Sequence, residues 1–104
     1  MDIPVVNVTT GKAEVIDSTK ILFVQADGMT YIHTRDHVYK PANALKDYAE
    51  ILLPIGFEYL DKSNVVNINL IRNYDKIAKQ AYFDKERIGK SVKVSRRNRR
   101  KLND

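Results

Sequence analysis

A chain of 104 residues, 43% hydrophobic and 30% charged, has the size and composition of one small domain with a single modest core. It has no cysteine, which excludes disulfides, thiolate metal sites and cysteine nucleophiles; no apolar run approaches the ~20 residues of a spanning helix, and no basic segment followed by an apolar stretch opens the chain as in a secretory signal. The net charge of +5 is uneven: residues 85–104 hold nine Lys and Arg against Glu86 and Asp104, a net +7, so residues 1–84 carry −2.

A positive field confined to one end points to an anionic partner at one place on the surface. Blocks of like charge also occur as solvated tails, so charge alone leaves that alternative open.

From the N-terminus the dominant period is two. Ile3–Val8 is an apolar-rich opening closed by Thr9, Thr10, Gly11 and Lys12, and Ala13–Ile16 predicts a second short strand. Ile21–Val24 is apolar throughout and reads as a buried strand. Asp27-Gly28 supplies a turn, and Met29–Thr34 alternates, with Tyr31 and His33 on one face and Thr30, Ile32 and Thr34 on the other. Arg35-Asp36 turns the chain into His37–Lys40, so residues 21–40 predict a three-stranded meander.

The period then changes. Leu45, Tyr48, Ala49 and Leu52 fall at i, i+3, i+4 and i+7, the stripe of an amphipathic helix over residues 42–53. Pro41 suits its first turn, and Pro54 with Gly56 ends it. The stripe is expected to cover a sheet face. Strands resume at Phe57–Leu60 and at Val65, Val66 and Ile68. One long strand or two follow in Ile71–Phe83, then a polar turn at Asp84–Arg87 and a last alternating segment, Ile88–Val94. The chain ends on five Arg and Lys within Arg96–Lys101, directly after this strand-like segment.

No catalytic set has usable spacing. The glycines at 11, 28, 56 and 89 form no phosphate loop. His33 and His37 have metal-ligand spacing only on a helix, and here they flank a turn between strands, where a structural or nucleic-acid-contacting role is favoured. The carboxylates are dispersed, and Ser63 and Ser95 have no base nearby in sequence. The expectation is a binding domain, not an enzyme, without cofactor or metal.

Three stretches, in order, carry a resemblance: "ILFVQADGMTYIHT" from Ile21, "GFEYLDKSNVVNINLI" from Gly56, and "VSRRNRRKL" from Val94. They resemble the LytTR family of bacterial DNA-binding domains, output modules of many two-component response regulators, over about residues 3–102. The resemblance implies a mainly-β fold, an elongated stack of small antiparallel sheets with one short helix. It also implies a cytoplasmic transcription regulator that reads major grooves of double-stranded DNA with loops at sheet edges. Paired direct repeats are the usual target, with a second copy on the adjacent half-site.

Carried over by position, the resemblance implies base contacts from Lys62, just before Ser63, and from Arg97, two residues after Ser95. Arginine suits the bidentate guanine contact, and lysine reaches the same acceptors without the planar fork. Met29 and Thr30 are weaker base-contact candidates from the loop after the first buried strand. Arg96, Arg99, Arg100 and Lys101 are expected on phosphates. Ser63 and Asn67 are expected either to meet phosphate or to brace the loop. The chain departs from the family pattern at Asp61, a carboxylate beside Lys62, and at Asn64, where an aromatic or apolar residue is usual. Its 104 residues are expected to form one domain, 1–104, with no room for a receiver, hence a stand-alone member or an excised piece. Two alternatives use the same basic end: a non-specific RNA- or DNA-binding β module, and a protein-interaction domain that docks on an acidic partner.

Overall fold

Segments in which every second residue is apolar pair into strands, and the central ones are apolar on both faces because both faces are covered. The computed structural model describes residues 1–42 and 44–102. In chain order the elements are β1 (Asp2–Asn7), β2 (Ala13–Asp17), β3 (Phe23–Asp27), β4 (Met29–His33), β5 (Val38–Pro41), α1 (Leu45–Leu52), β6 (Phe57–Asp61), β7 (Asn64–Asn67), β8 (Asn73–Asp75), β9 (Gln80–Tyr82) and β10 (Ser91–Lys93). A 3-10 helix, Arg96–Leu102, closes the chain.

The strands form two antiparallel sheets. The larger runs β2-β1-β5-β4-β3-β7-β6 and the smaller β10-β9-β8. The expected meander of residues 21–40 is β3-β4-β5, turned at Gly28 with φ 77°, a conformation that favours glycine. Phe23 opposes both His33 and Val66, and Val24 opposes both Ile32 and Val65.

This register sorts the core into two layers. Val24, Ile32 and Val65 join Ile3, Val5, Tyr39, Tyr48, Ala49, Leu52 and Phe57 on the helix side. Phe23 and Val66 join Leu22, Leu60, Ala81, Phe83, Val92 and Val94 on the other, against the small sheet. The Ile21–Val24 run is therefore unbroken because β3 lies between two cores.

Helix α1 does cover a sheet face, but it is shorter than residues 42–53. Pro41 ends β5 opposite Val5, so the chain is still extended where the first helical turn was expected. Asn43 lies outside the described residues. The Tyr48 hydroxyl fixes the entry: it accepts from Ala42 N (2.8 Å) and donates to Pro4 O (2.9 Å). A 3-10 turn, Leu53–Ile55, follows the helix, and Gly56 at φ 101° reverses the chain into β6. Residues 71–83 hold two strands, because Asp75 caps a turn: its Oδ1 accepts from Ile77 N and Ala78 N, each at 3.0 Å.

Candidate nucleic-acid interface

Two hairpin turns emerge at the same end of the large sheet. Gln25 of β3 opposes Asn64 of β7, and Asp27 opposes Met29. The β3–β4 turn thus projects beside the β6–β7 turn that holds Lys62 and Ser63. The two are tied together by Ala26 N donating to Ser63 O (2.8 Å) and Gln25 Nε2 donating to Ser63 Oγ (3.0 Å).

Asn64 ties this turn to the end of the chain. It is fully buried, and its Oδ1 accepts from Leu60 N (3.1 Å) and Asp61 N (2.9 Å). Its Nδ2 donates to Lys93 O (3.0 Å). One residue pair further on, Ser95 N donates to Leu60 O (2.7 Å). Segment 93–96 is therefore held against the Lys62 turn by these hydrogen bonds, one of them from the departure at Asn64.

The basic end is a folded element. Asn98 bonds back to Ser95 through its backbone N–H (3.0 Å) and its Nδ2 (2.8 Å, to Oγ), and Leu102 packs on the second core layer. Side chains three apart on a 3-10 helix lie in line. Asn98 and Lys101 form the line that faces the protein. Lys101 Nζ donates to Tyr59 O (2.9 Å) and pairs with Glu58 Oε1 (3.4 Å). Arg96 with Arg99, and Arg97 with Arg100, form two exposed lines. Among the described residues no hydrogen bond or ion pair engages these four guanidinium groups.

The predicted site residues divide accordingly. Lys62, Met29, Arg96, Arg97, Arg99 and Arg100 are exposed at this end, and Thr30 is half-buried beside Met29. Ser63 turns inward, donating to Asp61 Oδ2 (3.1 Å), and among the described residues no ion pair joins Lys62 to that carboxylate. Asn67 is buried at the other end of β7, where its Nδ2 donates to Ile21 O (3.1 Å) and its N–H to Leu22 O (2.9 Å), so it braces the start of β3 and not the Lys62 turn. Lys101 is turned toward Glu58. Gln25 and Asn64 brace the site; Gln25 was not singled out from the sequence, and Asn64 stood out only as a departure, without a role. The period-three pattern of "RRNRRK" was the available signal for the inward line.

His33 and His37 lie at the opposite end of their strands. His33 stacks on Phe23 with ring centroids 4.4 Å apart, and its buried Nδ1 has no partner among the described residues. Burial, reinforced by the Lys90 charge, lowers its pKa to about 4. Lys90 itself donates to Thr34 O (2.7 Å) and His37 O (3.0 Å), and His37 stacks on Tyr39. This is the arrangement of structural histidines.

A protein-family model described as the LytTr DNA-binding domain matches residues 11–104. Among solved structures, the LytTr DNA-binding domain of a Bacillus cereus response regulator superposes with a TM-score of 0.77 over 98% of this chain and 96% of its own, at 23% identity. No curated protein sequence matches the chain.

Proposed function

The chain belongs to the LytTr DNA-binding domain family, and on that footing we propose that it is a sequence-specific transcription regulator that reads double-stranded DNA with the end of the fold carrying Lys62 and Arg97. The observation that supports this most is the set of four unpaired, exposed arginines on a helix braced against the Lys62 turn. Four guanidinium groups this close repel one another, and an anionic backbone is the partner that relieves the repulsion.

In this reading Arg97 reaches a guanine edge, and Lys62 a second base from the neighbouring turn. Met29 and Thr30 approach a base from the β3–β4 turn. Arg96, Arg99 and Arg100 hold phosphates, which set register without reading sequence. Ser63 shapes the turn, Asn67 ties the far end of β7 to Ile21, neither touches phosphate, and Lys101 holds the closing helix in place. Loops at sheet edges enter the major groove, the target is a pair of direct repeats with one copy of the domain on each, and the site of action is the cytoplasm. No helix among the described residues is long and apolar enough to cross a membrane.

Selection from a random duplex pool tests the proposal. Recovery of a repeated motif that outcompetes scrambled duplex supports it. Equal recovery of all sequences, or of RNA, favours a non-specific module, and no retention at moderate salt favours docking on an acidic protein.

A further inference from the structure

The row of segments at this end has a fourth member. Val94 N donates to Lys79 O (2.9 Å), whereas the next amide, Ser95 N, donates to Leu60 O. Consecutive amides of the segment leading to Arg96 thus bond to different neighbours, so the β8–β9 turn and the Lys62 turn flank that segment. At the tip of the β8–β9 turn Ile77 is 95% exposed, the most exposed large apolar side chain among the described residues. Lone exposed apolar side chains are ordinary on protein surfaces, but this one is presented rigidly. Asp75 caps both Ile77 N and Ala78 N, and its other oxygen is held by Arg87 Nη1 at 3.3 Å. Lys79 closes the turn at φ 58°. Lys76 and Lys79 stand exposed on either side of the tip, with no ion partner among the described residues. At the far end of the row Met29, 57% exposed, is the counterpart apolar tip. The row therefore runs Met29, Lys62, Arg96 and Arg97, then Lys76–Lys79: cationic along its length, apolar at each end.

We infer that the Lys76–Lys79 turn is a further DNA contact, with Ile77 set against apolar nucleotide surface beside the Arg97 contact and Lys76 and Lys79 on the adjoining phosphates. This deepens the proposed function and rests on it. The apolar surface a duplex offers in reach of such a tip is a thymine methyl group or a deoxyribose face. The capped turn is ordered before contact, so little entropy is lost on binding.

The test is titration of the selected duplex with the wild-type chain, Ile77→Ala and Lys79→Gln, together with a duplex series in which each thymine is replaced by uracil. Ile77 is too exposed for its truncation to disturb the core, and an unchanged thermal melt verifies this. Ile77→Ala is expected to weaken binding roughly three- to tenfold with the salt slope unchanged, since an apolar contact displaces no counterions. Lys79→Gln is expected to reduce the slope by about one unit. If one uracil position weakens the wild type but not Ile77→Ala, the partner is a thymine methyl; if none does, it is the sugar. Both support the inference. Wild-type affinity in Ile77→Ala with an unchanged slope in Lys79→Gln overturns it and leaves the proposed function standing. Failure of the wild type to bind any duplex overturns both.

Discussion

Arg97 and Arg100 stand in line on the closing 3-10 helix, alike in charge and exposure, and differ only in the part of the duplex assigned to them. A base edge distinguishes sequences, whereas every duplex presents the same phosphates. Arg97→Ala is therefore expected to cost about 1–3 kcal/mol on the selected site and to relax preference at one base pair. Arg100→Ala weakens every sequence alike and lowers the salt slope by about one unit. Binding profiles over a library of single-base site variants check both, and uniform losses from Arg97→Ala would remove it from the base readers. Lys62→Ala is expected to resemble Arg97→Ala at a different base pair, because the two residues come from different loops and Lys62 has no ion partner among the described residues. Asn64 works through structure instead. Asn64→Leu strips partners from Leu60 N, Asp61 N and Lys93 O, and urea unfolding should register a loss of about 2–4 kcal/mol. Residue types and spacing revealed the exposed arginines, but not Asn64, whose three partners come from segments up to 29 positions away.

Periodicity located most elements, because burying one face of a strand or helix fixes the spacing of its apolar residues. It misplaced the start of α1 by three residues, since Pro41 is compatible with a helix's first turn and equally with the end of a strand. It also left the basic end open between tail and folded surface. What decides that end is packing of Leu102 and the Ser95–Leu60 bond, both long-range. The inward line of that helix gives a further expectation. Lys101→Gln breaks the contact to Glu58 and frays the helix, so amide exchange at Arg99–Leu102 should quicken, while the number of phosphates neutralised, and hence the slope, stays the same. In β4, His33 has a folded-state pKa lowered to about 4, against about 6.5 unfolded. The unfolded chain then takes up the proton first, so the stability His33 supplies is complete above about pH 6.5 and is lost as pH falls toward about 4. His33→Phe keeps an aromatic ring against Phe23 and should flatten that part of the curve in pH-dependent thermal melts; an unaltered curve would show that other groups govern it.

Across the whole molecule, four segments distant in sequence converge on one end of the fold, and the charge converges with them. Of the nine Lys and Arg in residues 85–104, Arg96, Arg97, Arg99 and Arg100 stand exposed at this end, whereas Lys90 is held at the opposite one by Thr34 O and His37 O. Sequence order placed Lys62 and the arginines in separate motifs; the bonds from Asn64 to Lys93 O and from Ser95 N to Leu60 O bring them to one end of the fold. With Lys101 committed to Glu58, Lys62 and four arginines remain of the cations expected at the interface, and the inferred turn contact adds Lys76 and Lys79. At about −0.9 per neutralised phosphate, log K against log salt is expected to fall with a slope between about −3 and −5. A non-specific module with the same charges shares that slope, so salt dependence alone establishes contact with the backbone and nothing about reading. The decisive measurement is the ratio of affinities for the selected duplex and a scrambled duplex of equal length at physiological salt. A ratio of about 1,000 or more is expected of a sequence reader, and it should collapse toward unity when Lys62 and Arg97 are both replaced by alanine. A ratio near one in the wild-type chain, or a high ratio that survives the double replacement, would contradict the assignment of sequence reading to this end of the fold.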